Sequence, residues 1–132
     1  MLSLTGSPQV ADIARETLST LDLEKHASIR TGPFHETLTP SLQSMKPVDY
    51  LFNDGHHDHD AVLGYFDDAL PYSAEDAVVV IDDISWSDRM KAAWSEIESH
   101  DRVSLTVNLR QGGIMVVGNV SGSKKEYFNI LL

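Results

Sequence analysis

The feature that most constrains the fold is the run at residues 77–81, where every side chain is apolar and the last four are β-branched. A strand with one face in water alternates apolar and polar residues, whereas a strand covered on both faces does not. The run therefore predicts a central strand of a parallel sheet, with helices on both faces, in an α/β fold.

Apolar residues at helical spacing predict a helix on either side of this strand. The first helix ends near Pro71, and the second follows a capping serine, either Ser85 or Ser87. A further β-prone run at residues 48–52 precedes the first helix. The order strand, helix, strand, helix is that of a repeating α/β fold.

The start of the chain follows the same order. Leu2–Thr5 predicts a short strand, and residues 8–21 predict a helix behind a serine cap. Residues 27–30 form a weaker strand candidate. Residues 36–45 predict a short helix that is interrupted at Pro40, because proline lacks the N–H of a helical bond.

The end of the chain differs in kind. Residues 103–109 alternate between apolar and polar, and a glycine pair then leads into residues 114–117. This pattern predicts an antiparallel hairpin that closes the sheet. After a flexible linker at residues 121–125, residues 127–132 predict an edge strand or a segment packed across one face.

The composition limits the class of protein and of partner. With 132 residues and 42% hydrophobic content, the chain is expected to form a single domain over residues 1–132. The net charge of −10 argues against nucleic acid and anionic membranes as partners. The lack of cysteine excludes thiolate metal sites and fits a cytoplasmic protein. No window approaches the ~20 apolar residues of a membrane span.

Carboxylates follow two of the predicted strands, Asp54 after one and Asp82 with Asp83 after the other. If the two strands are neighbours, their ends lie about 5 Å apart. Carboxylates at such a short distance repel one another unless a cation lies between them. A divalent ion such as Mg²⁺ prefers oxygen ligands. The pattern therefore predicts a metal site formed by these three residues. The alternative is that each acid caps a helix or ends a strand.

A histidine cluster follows Asp54. His57 lies three residues after it, close enough to act as a general base. The alternative for any one histidine is a solvated position at a helix start. A zinc hydrolase of the metallo-β-lactamase kind, read from His57 and His59, would need Asp and His where Ala61 and Val62 stand.

The two tryptophans have different expected roles. Trp94 lies on the apolar stripe of its helix and is expected to pack in the core. Trp86 follows the acidic pair directly, and we interpret it as either a packing residue or one wall of a substrate pocket.

Four segments, in order, resemble class I S-adenosylmethionine-dependent methyltransferases of the O-methyltransferase-like kind. Residues 48–57 resemble the family's fourth-strand motif and residues 78–86 its fifth-strand motif. Residues 4–8 resemble the turn after the second strand, and residues 32–38 the loop after the third. The resemblance implies an α/β, truncated Rossmann-like methyltransferase fold that starts at the second family strand, with a mostly parallel sheet and a C-terminal antiparallel hairpin.

The resemblance also implies an activity, namely metal-assisted O-methylation of a small-molecule hydroxyl with S-adenosylmethionine as cofactor. In metal-dependent members, acids at the positions of Asp54, Asp82 and Asp83 bind a divalent cation that holds the substrate hydroxyl. His57 falls where such enzymes carry a Lys or His base. The implied cofactor-binding residues are Thr5, Gly6, Gly32, Phe34 and Asp54.

The chain departs from the family pattern in two ways. Thr5 stands where the family has an acidic residue that binds the cofactor ribose, and no Gly-x-Gly-x-Gly occurs in the chain. The family strand that carries the glycine-rich turn lies at the centre of the sheet, so its absence predicts two unpaired strand edges and a homodimer that covers them. The alternative functions are a non-catalytic methyltransferase-like remnant that dimerises or binds a ligand, and a metal-dependent hydrolase.

Overall fold

The structure, a computed structural model, describes residues 1–118 and 125–130. The chain divides into two units, Met1–Ser44 and Met45–Leu132. The single domain expected over residues 1–132 stays a prediction. None of the helices in the described ranges is long and apolar enough to cross a membrane.

The first unit is a β-α-β-α segment. Its strands pair in parallel, with Leu2 opposite Ser28 and Thr5 opposite Thr31. The predicted first helix is confirmed, because the Ser7 hydroxyl accepts a hydrogen bond from the Val10 amide at 3.3 Å and a proline occupies the first turn. The elements are β1 (Leu2–Thr5), α1 (Pro8–Thr20), β2 (Ser28–Thr31) and α2 (Phe34–Met45).

The predicted interruption at Pro40 is wrong, because α2 runs through this residue without a break. Pro40 is exposed, so the carbonyl one turn earlier that loses its bonding partner can face solvent. Hydroxyl groups also bond within this part of the helix, from Thr37 to the Pro33 carbonyl at 2.9 Å and from Ser41 to the Thr37 carbonyl at 2.6 Å. The exposed position and these bonds allow the helix to continue.

The second unit is a five-stranded sheet with two helices and one turn of 3₁₀ helix at Leu70–Tyr72. Its strand order is β3-β4-β6-β5-β7. The elements are β3 (Val48–Asn53), α3 (His59–Ala69), β4 (Ser73–Ile81), α4 (Asp88–Ser99), β5 (Val103–Asn108), β6 (Gly113–Val117) and β7 (Glu126–Asn129).

This sheet is mixed, which corrects the expectation of a mostly parallel sheet. Strand β3 pairs in parallel with β4, and β5 pairs in parallel with β7, but β6 is antiparallel to both β4 and β5. The short connection from β5 to β6 reverses the chain direction, and β6 then lies between β4 and β5. The predicted hairpin pairing and the edge strand near the end are present. Residues 121–124 of the predicted linker, and residues 131–132, lie outside the described residues.

The core of the second unit lies between one face of the sheet and the helices α3 and α4. Strand β4 pairs on both sides, but the expectation that both of its faces are covered is not confirmed: Ala77, Val79 and Ile81 are buried, whereas Val78 and Val80 are half-buried. Burial of one large apolar side chain contributes about 1.5–3 kcal/mol. The other large buried side chains of this cluster are Val62, Phe66, Leu70, Ile84, Met90, Trp94, Ile97, Val103, Met115 and Val117.

Candidate active site

The carboxyl ends of β3 and β4 lie side by side. Asn53 is opposite Ile81 in the parallel register, and the Asp82 amide donates a hydrogen bond to the Asn53 carbonyl at 3.0 Å. The residues that follow the two strands, Asp54 and Asp82, therefore leave the sheet at the same edge. This is the edge at which ligands bind in open α/β sheets.

His57 lies between acids from both loops. Its Nε2 atom is 3.6 Å from Asp83 Oδ2 and 4.0 Å from Asp54 Oδ1. About a third of the His57 and Asp83 side-chain surfaces remains exposed, so the group is reachable from solvent. The structure thus brings together three of the predicted site residues.

The ring of Trp86 lies near that of His57. Its ring centroid is 6.0 Å from that of His57, with the two planes tilted by 41°. The side chain is 70% exposed, so Trp86 is not a packing residue of the core. An exposed aromatic ring beside an imidazole is suited to contact a flat or apolar ligand.

Asp82 has a different environment from the other two acids. Its Oδ1 atom accepts a hydrogen bond from the Asp83 amide at 2.9 Å, which fixes the turn after β4. Asp83 itself has a φ of 54°, and His56 has a φ of 49°, values that non-glycine residues seldom adopt. Such conformations tend to concentrate at functional sites.

The predicted magnesium site is not confirmed. Within residues 1–118 and 125–130, no group of three or more His, Asp or Glu side chains is arranged to hold a metal ion. Asp82 uses one carboxylate oxygen for its own turn, and His57 stands against the carboxylates of Asp54 and Asp83. The metal-binding role of Asp54, Asp82 and Asp83 therefore stays a prediction.

Four of the predicted cofactor-binding residues lie at the ends of the two strands of the first unit. Thr5 ends β1 and Gly6 follows it, while Gly32 follows β2 and Phe34 begins α2. The Gly32 amide donates a hydrogen bond to the Thr5 carbonyl at 3.0 Å, so the two strand ends are adjacent. Open space surrounds Gly6, where an added Cβ would meet no atom within 4 Å.

Thr5 and Gly32 each have a local structural role. The Thr5 hydroxyl accepts a hydrogen bond from the Ser7 amide at 3.2 Å, in the turn that leads into α1. Gly32 has a φ of 148°, and a Cβ there would lie 2.8 Å from Thr37 Cγ2, so only glycine fits without strain. The space beside the backbone is therefore open at Gly6, whereas at Gly32 it is filled by the Thr37 side chain.

A charged group that the sequence did not reveal links the start of α3 to α4. His59 Nδ1 lies 2.7 Å from Asp60 Oδ1, and His59 Nε2 lies 2.9 Å from Glu96 Oε1. Arg89 Nη2 donates to Asp58 Oδ2 at 3.2 Å and to Asp60 Oδ2 at 3.4 Å. We call these five residues the α3–α4 ion network. Sequence reasoning missed it because charged residues at helix starts look solvated, and only packing brings the two helices together.

The network shifts two pKa values. Hydrogen bonds to Asp60 and then to Glu96 raise the pKa of His59 above its ordinary value of 6.5. The hydrogen bond from His59 lowers the pKa of Asp60 from its ordinary value of 3.8. Both shifts favour the charged forms, so the network holds together as ions.

Comparison with known proteins decides the family. A family model described as a methyltransferase domain matches residues 2–84, which is more than half of the chain. The chain belongs to the class I S-adenosylmethionine-dependent methyltransferases. The match includes β1, β2, β3 and β4, the loops after the first three strands, and the loop after β4 as far as Ile84. No curated protein matches the chain.

Solved methyltransferase structures share this fold. The O-methyltransferase from Bacillus cereus, in complex with SAH, is 25% identical with a TM-score of 0.69, over 88% of this chain and 61% of that chain. The O-methyltransferase TomG from Streptomyces achromogenes, in complex with SAM, is 18% identical with a TM-score of 0.69, over 89% of this chain and 60% of that chain. The SAH-bound methyltransferase from Podospora anserina is 14% identical with a TM-score of 0.69, over 89% of this chain and 59% of that chain. This chain therefore spans about three fifths of the length of these methyltransferases.

Proposed function

We propose that this methyltransferase-family chain takes part in methyl transfer from S-adenosylmethionine to a hydroxyl group of a small molecule, with His57 as the general base. The observation that carries the proposal is the position of His57, which lies at the carboxyl edge of β3 and β4 beside Asp83 and the exposed ring of Trp86. The family and its SAM- and SAH-bound structures supply the reaction class. They do not favour the zinc hydrolase alternative.

The residues of this edge have distinct tasks in the proposed reaction. When bound, S-adenosylmethionine would supply an electrophilic methyl group, with S-adenosylhomocysteine as the leaving group. His57 takes the proton of the acceptor hydroxyl, so that the attacking oxygen carries more negative charge. The carboxylates of Asp54 and Asp83 hold the imidazole at the edge, and Trp86 limits the direction from which an acceptor approaches. Catalysis here depends mainly on positioning.

The residues proposed to contact the cofactor are those that the family resemblance implies. Thr5, Gly6, Gly32 and Phe34 share one edge of the β1–β2 sheet, and open space surrounds Gly6. Asp54 stands at the end of β3. Support for these five contacts comes from their agreement with the family's loops after its second, third and fourth strands.

The proposal contains no metal-dependent step, because no group of side chains in residues 1–118 and 125–130 is arranged to hold a metal ion. Because the chain resembles metal-dependent O-methyltransferases, an assay should test whether the reaction needs a metal ion. We expect the methyl-transfer rate to be the same with a chelator as with added Mg²⁺. A rate that requires Mg²⁺ would instead restore the metal-assisted scheme with these three carboxylates as ligands.

Calorimetric titration with S-adenosylmethionine and a methyl-transfer assay on small hydroxyl compounds test the proposal. We expect the His57→Ala variant to bind the cofactor as the unaltered chain does, but to transfer methyl groups about 10²- to 10⁴-fold more slowly. His26→Gln, which changes an exposed histidine of the first unit, is the matched control and should retain the rate. If the unaltered chain binds no cofactor, the non-catalytic remnant becomes the better account.

We also propose that the chain forms a homodimer through the free edge of β3. Within the described residues β3 is the terminal strand of its sheet, and it pairs only with β4. Tyr50 and Phe52 on this strand are 60% and 51% exposed. An unpaired strand edge beside exposed aromatic rings favours pairing with another chain.

A further inference from the structure

We propose that Arg89 and His59 are positioning residues for His57: the α3–α4 ion network fixes the loop after β3 against the loop after β4, and so keeps His57 beside Asp83. The proposal rests on the proposed function for its catalytic consequence. Its geometric part, that the network sets the place of His57, stands independently of catalysis.

The network begins one residue after His57. Asp58 Oδ1 caps α3 by accepting from the amides of Asp60 and Ala61 at 3.1 and 3.4 Å, and Asp58 Oδ2 accepts from Arg89. The same carboxylate therefore ends the loop that carries His57 and joins it to α4. The Asp58 amide also donates to the His56 carbonyl at 2.7 Å, which tightens this loop further.

The other end of the network lies on α4, the helix that follows Asp83 in the sequence. The loop after β4 carries Asp83 and Trp86, and it leads into α4 at Asp88. Arg89 is the second residue of that helix, and Glu96 follows it seven residues later, two helical turns away on the same face. The two loops that meet at His57 and Asp83 thus lead into the two helices that the network joins.

The chemistry of His59 requires a charged imidazole. An ionised carboxylate only accepts hydrogen bonds, and both ring nitrogens of His59 face carboxylate oxygens within 2.9 Å. Both nitrogens must then carry protons. His59 and Arg89 together supply two cations to the carboxylates of Asp58, Asp60 and Glu96, which would otherwise repel one another across the two helices.

The network has a small expected effect on overall stability. Arg89 and its two partners are each more than half exposed, and exposed ion pairs contribute little to the free energy of unfolding. A network that contributes little to stability, yet joins the two helices that follow the loops of the site, is suited to local positioning. This separates the proposal from a purely structural role.

The chain offers a matched control for Arg89 on the same helix. Lys91 is also a cation in the first turns of α4 and pairs with Asp88 at 3.0 Å, and within residues 1–118 and 125–130 no hydrogen bond or ion pair joins it to α3. Arg89→Gln and Lys91→Gln therefore remove one exposed positive charge each from nearly the same place. They differ in whether the contact to the start of α3 is lost.

Amide hydrogen exchange and the nuclear Overhauser effect between the His57 and Trp86 rings test the geometric part in the full chain. We expect Arg89→Gln to weaken the ring contact and to speed exchange of the amides at residues 54–58 about threefold to tenfold, with Lys91→Gln near the unaltered chain. Arg89→Lys should restore part of the protection. If Arg89→Gln and Lys91→Gln give the same exchange at residues 54–58, the positioning role is overturned. Should Arg89→Gln fail to fold, Glu96→Gln, which keeps the side-chain shape, takes its place. Faster exchange at residues 54–58 than in Lys91→Gln would then support the positioning role, and equal exchange would overturn it.

The catalytic consequence has its own measurement. With a methyl acceptor, Arg89→Gln should lower kcat about threefold to tenfold and leave the KM for S-adenosylmethionine unchanged. A change in KM alone would contradict positioning of the base. If the unaltered chain transfers no methyl group, the proposed function fails, whereas the exchange and ring-contact data still decide the geometric part.

Discussion

Gly113, on β6, lies directly beneath the indole of Trp94. A Cβ at this position would enter the ring, in contact with Cη2, Cζ3 and Cε3. Trp94 is 5% exposed, so the ring has little room to move away. We expect Gly113→Ala to lower the free energy of unfolding by about 1–3 kcal/mol in urea denaturation, as overpacked cores do.

Gly64 is the control for this substitution. It lies within α3, and an added Cβ would meet no atom within 4 Å. Gly64→Ala should raise the free energy of unfolding by about 0.5–1 kcal/mol, because alanine loses less conformational freedom in a helix. Destabilisation of equal size in both variants would argue against the contact with Trp94 as the cause.

At single residues, the sequence predicted which side chains lie near one another better than it predicted the hydrogen bonds that they make. It placed Asp54, His57 and Asp83 near one another because they follow neighbouring strands, and the distances from His57 confirm that proximity. It could not show that Asp82 would turn towards the Asp83 amide, since that depends on the conformation of a short turn. The roles of these residues in catalysis and in metal binding stay predictions.

At the level of helices, periodicity and capping residues predicted α1, α3 and α4 well. Ser87, rather than Ser85, caps α4 by accepting from the Met90 amide at 3.1 Å. The continuity of α2 through Pro40 was not predictable from a rule about proline alone, because it depends on the exposure of that residue. The order of the strands was also beyond local sequence, since the insertion of β6 between β4 and β5 is a long-range pairing.

The link between α3 and α4 should depend on pH through His59. In the folded chain the pKa of His59 is raised above 6.5 by Asp60 and Glu96. The stabilisation from this residue is therefore fully present below the unfolded pKa and is lost as pH rises through the folded pKa. We expect the difference in unfolding free energy between the unaltered chain and His59→Gln to be larger at about pH 5.5 than at about pH 9.

Two further features sharpen this measurement. The pKa of Asp60 is lowered in the folded chain, so the stabilisation from Asp60 is present above pH 3.8 and is lost only as pH falls through that lowered pKa. Asp60 therefore does not contribute to the change in stability between about pH 5.5 and about pH 9. In Glu96→Gln one of the two carboxylates that raise the pKa of His59 is gone, and the loss of stability with rising pH should be smaller. A His59→Gln difference that grows with pH would contradict the assignment of a charged imidazole.

For the molecule as a whole, the two terminal strands of the five-stranded sheet permit a test of the proposed dimer. Phe52 on β3 is 51% exposed, and Phe128 on β7, at the opposite edge, is 48% exposed. A lysine at an edge strand opposes pairing with another chain. We expect Phe52→Lys to halve the mass measured by light scattering after size-exclusion chromatography, and Phe128→Lys to leave it unchanged. A monomeric unaltered chain, or an equal effect of both substitutions, would argue against the β3 edge as the interface.

Trp86 and Trp94 are the only tryptophans in the chain, and they are 70% and 5% exposed. A quencher dissolved in water can collide with the first indole but not with the second while the core stays closed. Fluorescence from one unlabelled sample thus carries two separable signals, one from the rim beside His57 and one from the interior beneath α4. A methyl acceptor that binds against Trp86 would alter only the fluorescence that the quencher can reach. Unfolding would alter the fluorescence of both tryptophans.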